Sequence, residues 1–506
     1  MQAVILAAGM GNRLGKYTKN NTKCMLDING VTLIERALGA LESNGIKKCI
    51  IVVGYQKENL MNFIGKKFRS MDIVYVSNDI YNRTNNIYSL YLAKDFLIED
   101  DTILLESDLI FDESIITRLL SSSEHTLAVV AKYESWMDGT VVQIKDDLTI
   151  SQFIPKSLFN YANLDSYYKT VNIYKFSKDF LCSSYVPFLE AYSKAMGNNE
   201  YYEQVLRVIA TLETHPLKAL CLDGQKWYEI DDVQDKDIAE VLFADNAEDK
   251  YERLQKRFGG YWRFPHMLDF CYLVNPYFPN RVMNDEMKAY FTQLVADYPS
   301  GLSVQNLLAG KLFSIDESQI LVGNGAAELI KALSPAVRGS IGVIYPSFNE
   351  YPESLSEHEI VAFHSDGFHY GLDQLVSWQK KCDTLLIINP DNPSGNFVSK
   401  QDLLSLLAIM LENNKTLVLD ESFLDFSIDG FENSLLDQAI IDRYPNLIII
   451  KSISKSYGVP GLRLGILASS NPETIRVIRK GLSIWNINSF GEFFFQIIGK
   501  YKKDYK

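Results

Sequence analysis

The sequence predicts an α/β protein of two domains, and three observations carry that reading. Short apolar runs rich in β-branched residues alternate with amphipathic stretches of helical length in both halves of the chain. The first such run, residues 3–6, breaks at once into Ala7, Ala8, Gly9, Met10 and Gly11, as a strand does where it meets a ligand at the carboxyl edge of a sheet. At 506 residues there is room for two or three cores, and a charged stretch at 246–264 closed by Gly259 and Gly260 reads as a connector helix and boundary. The expected divisions are 1–245, a connector at 246–262, and 263–506.

In the first domain, small residues after the strand let a bulky anion sit against main-chain N–H groups, which makes Leu6, Ala7, Ala8, Gly9 and Gly11 candidates for binding a polyphosphate. Arg13 and Lys23 add positive charge on the same side. The spacing is neither GxxxxGK[ST] nor GxGxxG, so those two phosphate loops are excluded. Residues 32–44 and 57–68 read as helices, and KCIIVVGY and DIVYVSN as strands, an alternation that predicts a mostly parallel, doubly wound sheet. Asn78, Asn85, Asn86 and Ser89 then fall at strand ends, as ligand contacts or as a capped polar turn. Strand TILLE ends at Ser107 and Asp108, and a carboxylate there can hold a divalent cation against a triphosphate or simply cap a helix. Asp231 in YEID follows a similar short run, with Asp232 as the neighbouring alternative. Trp136 in a turn-like segment, Tyr201, Tyr202 and Glu203 at a helix start, and Trp227 before Glu229 offer aromatic faces and a carboxylate. Such a set suits a cationic amine, or builds ordinary core.

A net charge of −13 argues against a broad phosphate-backbone partner, so no nucleic-acid function is expected. Cys24, Cys49, Cys182, Cys221, Cys271 and Cys382 are scattered singly, which indicates neither a disulfide framework nor a zinc site. No apolar run approaches roughly 18 residues, and the N-terminus is itself a core strand, so neither a membrane span nor a cleavable signal is expected. These features predict a cytoplasmic protein.

LAAGMGNRLG, Lys23, VYVSNDIYNRTNNIYSLYLA, LLESDLIF and WYEIDDVQDKDIAE together resemble the nucleotidyltransferases that activate sugar phosphates and alkyl phosphates, over about the first half of the chain. The nearest branch is the cytidylyltransferases acting on phosphocholine or 2-aminoethylphosphonate. The resemblance implies a Rossmann-like nucleotidyltransferase sheet and CTP as substrate. Arg13 and Lys23 would be catalytic, Asn86 and Ser89 would contact the nucleoside, and Asp108 and Asp231 would hold Mg²⁺. It further implies an ammonium site in the region of Trp136, Tyr202, Glu203 and Trp227. A primary ammonium wants hydrogen-bond acceptors and a quaternary one only a cage, and both remain open.

From about residue 270, NPYFPN, ILVGNGAAELI, YPSFNEY, IINPDNPSGN, LVLDESFLDF and KSISKSYGVPGLRLG resemble the fold-type I pyridoxal-phosphate aminotransferases, in the histidinol-phosphate aminotransferase and threonine-phosphate decarboxylase branch. The fold implied is the large domain of that family. Lys455 would form the Schiff base, Asp420 would pair with the pyridinium nitrogen, and Asn392 would bond the ring oxygen. Ser452, Arg463 and the N–H groups of Ala326 and Ala327 would hold the phosphate, and Tyr351 would stack on the ring. Phe423 stands where many relatives have Tyr. Only 51 residues follow Lys455, about half the usual distance, so the sequence looks cut off within this domain, which puts transamination by this chain alone in doubt.

Joined, the two resemblances imply amination of phosphonoacetaldehyde at the expense of an amino donor, then coupling of 2-aminoethylphosphonate to CTP, in a homodimer built through the aminotransferase domain. The alternatives are a phosphocholine cytidylyltransferase with a silent dimerising second domain, and a CTP-binding sensor.

Overall fold

The computed structural model describes residues 1–212, 216–428 and 430–505. Two compact units divide at residues 267 and 268. The first unit is larger than expected because Phe264, 5% exposed, is buried with Tyr228, Ile230 and Ile238, and Leu254, Tyr261 and Met267 pack around them. The segment beyond residue 245 therefore belongs physically to the first core. It is helical only over Ala247–Gln255, and resumes as a single turn at Tyr261–Arg263 after the left-handed Gly260.

The first unit is built on a ten-stranded sheet. Gln2–Ala7 is its centre, fully buried, and runs parallel to both Lys48–Val53 and Thr102–Glu106. Its neighbour Lys48–Val53 pairs in parallel with Met71–Ser77. The intervening helix Leu33–Ser43 starts where the sequence predicts, because Thr32 and Glu35 form a capping box, each side chain accepting the other's backbone N–H. The second helix stops at Ile64 rather than Phe68. Gly65, at a positive φ of 76° that favours glycine, ends it, and residues 67–68 fold back as an edge strand.

The expectation of a mostly parallel sheet holds only for this half. Tyr168–Phe176 lies antiparallel to both Thr102–Glu106 and Leu127–Lys132, and Val141–Ile144 pairs antiparallel with Ile150–Ile154, so the sheet is mixed. Loops without α-helices join the strands between residues 127 and 176, and strand–helix alternation therefore does not announce them.

The second unit carries a seven-stranded sheet in which Leu447–Ser452, Thr416–Asp420, Thr384–Ile388, Ile341–Tyr345 and Ile360–His364 are successive parallel neighbours. Leu464–Ala468 and Ile320–Asn324 close one edge in antiparallel fashion. Helices cover both faces, and Asp420 and Ser452 end adjacent strands at the carboxyl edge. Among the described residues, no helix is long and apolar enough to cross a membrane.

Candidate functional sites

A cavity of about 730 Å³ opens at the carboxyl edge of the first sheet. Leu6, Ala7, Ala8 and Gly9 line it, and a side chain on Gly9 would point into open space. Gly11 has φ +60° and its carbonyl accepts the Thr18 hydroxyl at 2.9 Å, so it shapes the loop rather than the wall. A residue the sequence reading overlooked fixes the loop from behind. A Cβ on Gly54 would fall 2.8 Å from the Ala8 carbonyl oxygen and 2.9 Å from Tyr81 Cβ, while Tyr55 N–H donates to that same carbonyl at 3.1 Å. Gly54→Ala is expected to cost about 1–3 kcal/mol, as overpacked sites do, and to raise the KM for CTP. Thermal melting and steady-state kinetics measure the two effects.

Opposite the loop, Lys23 Nζ donates to Asp108 Oδ2 at 2.6 Å and to Asp231 Oδ1 at 2.8 Å, so acids 123 positions apart in sequence meet on one ammonium. Arg13 lies 2.8 Å from the same Asp231 oxygen. Burial alone would lower the Lys23 pKa, but the two carboxylates outweigh it and hold the ammonium above the ordinary lysine range. Burial likewise works to raise Asp231, and Lys23 and Arg13 reverse it, so that carboxyl titrates lower than usual. Asp232 faces elsewhere, capping the helix Val233–Leu242.

A third acid joins them. One oxygen each from Asp108, Glu229 and Asp231 lies within 4.8 Å of the others, and Asp108 Oδ1 is buried with no hydrogen-bond partner among the described residues. An all-oxygen donor set with an orphaned carboxylate oxygen fits a hard divalent cation such as Mg²⁺.

The deeper wall departs from the expected aromatic cage. Tyr202 is fully buried, its ring edge-on to Tyr174, because it is the residue before the helix Glu203–Ala210 and turns inward; Tyr201 lines the cavity in its place. Trp136 stacks on Tyr228 with centroids 4.1 Å apart, and Trp227 is 7% exposed in the same apolar layer, so neither indole lines the cavity. Glu203 does line it, together with Glu106 and Glu229. Burial pushes Glu203 up to about 7, and burial followed by the neighbouring Asp108, Glu203 and Glu229 carboxylates raises Glu106 well above its usual range. Glu203 Oε2 has no hydrogen-bond partner among the described residues. Lys169 Nζ, 3.3 Å from Glu229, is the cation among them, and Asn86 donates to Glu106 at 2.9 Å. Ser89 is buried and accepts from Asn78 at 3.1 Å, beside Asn85, which caps the helix Asn86–Leu92. Glu229, expected only as a carboxylate of the ammonium site, also joins the acids at Lys23, whereas Glu106 and Lys169 were missed: Glu106 stands beside Asp108, which took the metal role, and Lys169 lies in a strand with no ligand-binding pattern.

In the second unit, Lys455 Nζ stands 4.1 Å from the centre of the Phe423 ring and 5.5 Å from that of Phe348. Burial lowers its pKa, with Asp420 opposing. Asp420 accepts from Ser422 N–H at 2.8 Å and from the Tyr351 hydroxyl at 2.7 Å. Tyr351 is fully buried, and this bond makes it an orienter of the acid where the sequence reading expected a stacking ring. Arg463 packs on the start of the helix Gly325–Lys331: a Cβ on Gly325 would fall 2.7 Å from its guanidinium, and Gly325 N–H donates to the Arg463 carbonyl at 2.8 Å. Ala326 and Ala327 follow in that first turn, and Ser452, held through its N–H by Ser422 Oγ, ends the strand before Lys455. Asn392 is half-buried after the Thr384–Ile388 strand. The NPYFPN segment locks the lysine turn, since Asn275 N–H donates to the Lys455 carbonyl at 3.0 Å and its side chain to Ser456 O at 2.9 Å. An amine, a ring-facing acid, and a guanidinium at a side-chain-free helix start fit pyridoxal phosphate.

Comparison with known proteins agrees with these two sites. Residues 3–229 match the MobA-like NTP transferase domain, and residues 269–493 match aminotransferase class I and II. The chain is 29% identical to a CMP-5'-(3-aminopropyl)phosphonate synthase of Streptomyces rubellomurinus, an alignment covering 99% of this chain and 80% of that protein. Its first part is 28% identical to a CTP:phosphoglutamine cytidylyltransferase of Campylobacter jejuni, covering 47% of this chain and 98% of that one. Its second part is 31% identical to an L-serine phosphate decarboxylase of Sulfurospirillum multivorans, covering 45% of this chain and 60% of that one.

Proposed function

We propose that this chain, a nucleotidyltransferase joined to a class I/II aminotransferase, makes a small aminoalkylphosphonate and couples it to CTP. The specific reading is 2-aminoethylphosphonate, giving CMP-aminoethylphosphonate and pyrophosphate. The observation that carries it is the set of three carboxylates, Glu106, Glu203 and Glu229, in the wall of the cavity that also holds Lys23, Asp108 and Asp231. A primary ammonium donates three hydrogen bonds and is matched by carboxylate oxygens, whereas quaternary choline needs the aromatic cage that Trp136, Tyr202 and Trp227 do not supply here. Similarity to the aminopropylphosphonate enzyme along nearly the whole chain supports the same pairing of steps.

In this reading the loop at residues 6–11 takes the triphosphate on its N–H groups, and Asn86 and Ser89 lie toward the nucleoside. An acceptor phosphonate oxygen attacks the α-phosphorus. The new P–O bond forms as the α–β bridge breaks, and pyrophosphate leaves with the electron pair beside Arg13 and Lys23. Asp108, Asp231 and Glu229 would hold Mg²⁺, which neutralises charge on the phosphates when bound. In the second unit Lys455 Nζ would carry the proton to and from the substrate carbon, Asp420 would hold the ring nitrogen, and Arg463 and Ser452 would anchor the phosphate, with Asn392 on the ring oxygen. Pyridoxal phosphate supplies the electron sink. An amino donor returns as its 2-oxo acid. We place the enzyme in the cytoplasm, where CTP is made, as a homodimer through its aminotransferase domain.

Glu203→Gln tests the acceptor. It is expected to raise the KM for 2-aminoethylphosphonate by about 10- to 100-fold, the worth of a charged hydrogen bond, and to leave the KM for CTP within about twofold. With its carboxyl titrating near 7, the wild-type acceptor KM rises as pH falls below that value, because a protonated Glu203 no longer attracts an ammonium. The stability effect has the opposite sense. The folded carboxyl titrates above its unfolded value, so its burial penalty is fully present above pH 7 and is gone below the unfolded pKa. Glu203→Gln therefore stabilises the ligand-free fold at pH 8 and not at pH 4. An unchanged acceptor KM at pH 8 would rule out Glu203 as the ammonium's partner.

A further inference from the structure

We infer that Arg263, which lies 34 positions beyond the last residue matched to the transferase domain, is a positioning residue for the nucleotidyl-transfer site. The inference rests on the reading above and extends it to a segment expected to be mere connector. Asp231 is held from behind by one carboxylate: Asp235 Oδ2 accepts the N–H of Asp231 at 3.1 Å and that of Asp232 at 3.2 Å. The other oxygen of Asp235 accepts the Tyr228 hydroxyl at 3.2 Å and lies 3.5 Å from an Arg263 guanidinium nitrogen. The same guanidinium nitrogen donates to the Tyr228 hydroxyl, closing a three-membered network.

The network is buried enough to matter. The side chains of Arg263 and Asp235 are 16% and 17% exposed, and Tyr228 is 1% exposed. Arg263 is delivered by local structure: left-handed Gly260 starts the turn Tyr261–Arg263, and buried Phe264 pins its end into the core that contains Tyr228. On its other face Tyr228 stacks on Trp136, near parallel at 12°, which ties the segment that follows the strand Leu127–Lys132 to the same ring. One guanidinium thus bears on the backbone that aims Asp231 and on the ring beneath Trp136. A lysine at 263 offers a point charge in place of a planar fork and can restore only part of this.

The test uses the full chain with Arg263→Ala and Arg263→Lys, read by amide hydrogen exchange, by Mn²⁺ binding followed through the free-ion paramagnetic resonance signal, and by pyrophosphate release. Arg263→Ala is expected to speed exchange about 10-fold or more in a peptide spanning residues 227–235, with the strand Gln2–Ala7 unchanged, and to weaken Mn²⁺ binding about 10- to 100-fold, as loss of a supporting partner does. Arg263→Lys recovers part of both. The positioning role is overturned if exchange and Mn²⁺ binding match wild type, or if exchange rises equally throughout the first unit, which would mark general unfolding. Exchange and metal binding need no acceptor. If wild type releases no pyrophosphate with any phosphonate while Arg263→Ala still loosens residues 227–235 and weakens Mn²⁺ binding, the transferase reading fails and Arg263 stands as a positioning residue for the acids at Asp231 alone.

Discussion

Lys23→Met is expected to lower acceptor-dependent pyrophosphate release from CTP by about 10²- to 10³-fold, the range seen when one preorganised charge is removed from a transition state. Lys23 is 2.6 Å and 2.8 Å from the carboxylates of Asp108 and Asp231, so the same change strands Asp108 without a counter-charge and leaves Asp231 with Arg13 alone. A stability cost of about 3 kcal/mol follows, partly reversed by added Mg²⁺, whose charge can replace the ammonium between them. The pH dependence has a definite sign. The folded ammonium titrates above its unfolded value, so its contribution is intact throughout the neutral range and is lost only in strong base. Asp231 titrates below its unfolded value, so its share is present above about pH 4 and is lost as pH falls through the folded pKa. Thermal melts of wild type and Lys23→Met should therefore differ at pH 8, and by less as pH falls below the ordinary carboxylate range.

Lys455→Ala should abolish amination of phosphonoacetaldehyde and the visible absorbance of bound pyridoxal phosphate, and should leave cytidylyl transfer to supplied 2-aminoethylphosphonate unchanged. The lysine stands on Phe423 and near Phe348, with Asp420 the acid that opposes its desolvation, so the substitution removes an amine from an otherwise apolar niche and the fold should tolerate it. Loss of pyrophosphate release in this variant would contradict two sites with separate chemistry. Retained absorbance would contradict Lys455 as the anchoring amine.

The parallel core of each unit was legible because β-branched runs separated by amphipathic helices have no other economical arrangement. The antiparallel strands between residues 127 and 176 were not, since strands joined without crossover helices leave no strand–helix alternation to read. Asp108 and Asp231 stood out as acids ending strands, and the structure brings both onto Lys23. Glu106 did not stand out, and Glu229 did so only as a carboxylate after Trp227, because both gain their place only when separate strand ends meet at one cavity. The aromatic set misled for a local reason. Tyr201 and Tyr202 are neighbours at a helix start, where a rotation of about 100° per residue sends one to the cavity and the other to the core. Trp136 packs on both Trp227 and Tyr228, and a sequence does not distinguish a ring that cages a ligand from one that stacks beneath it. Arg263 lay in a charged helical stretch whose composition reads as surface, until Phe264 and Gly260 fix it against Tyr228.

The most direct measurement is pyrophosphate release by the purified chain from CTP and Mg²⁺ with 2-aminoethylphosphonate or phosphocholine as acceptor, in wild type and in Asp231→Asn. Release with the primary amine, favoured at least about 10-fold over phosphocholine and lost in Asp231→Asn, is the predicted result. Equal or greater turnover of phosphocholine, or turnover that survives Asp231→Asn, would contradict an ammonium-selective cytidylyltransferase built on the acids that meet at Lys23.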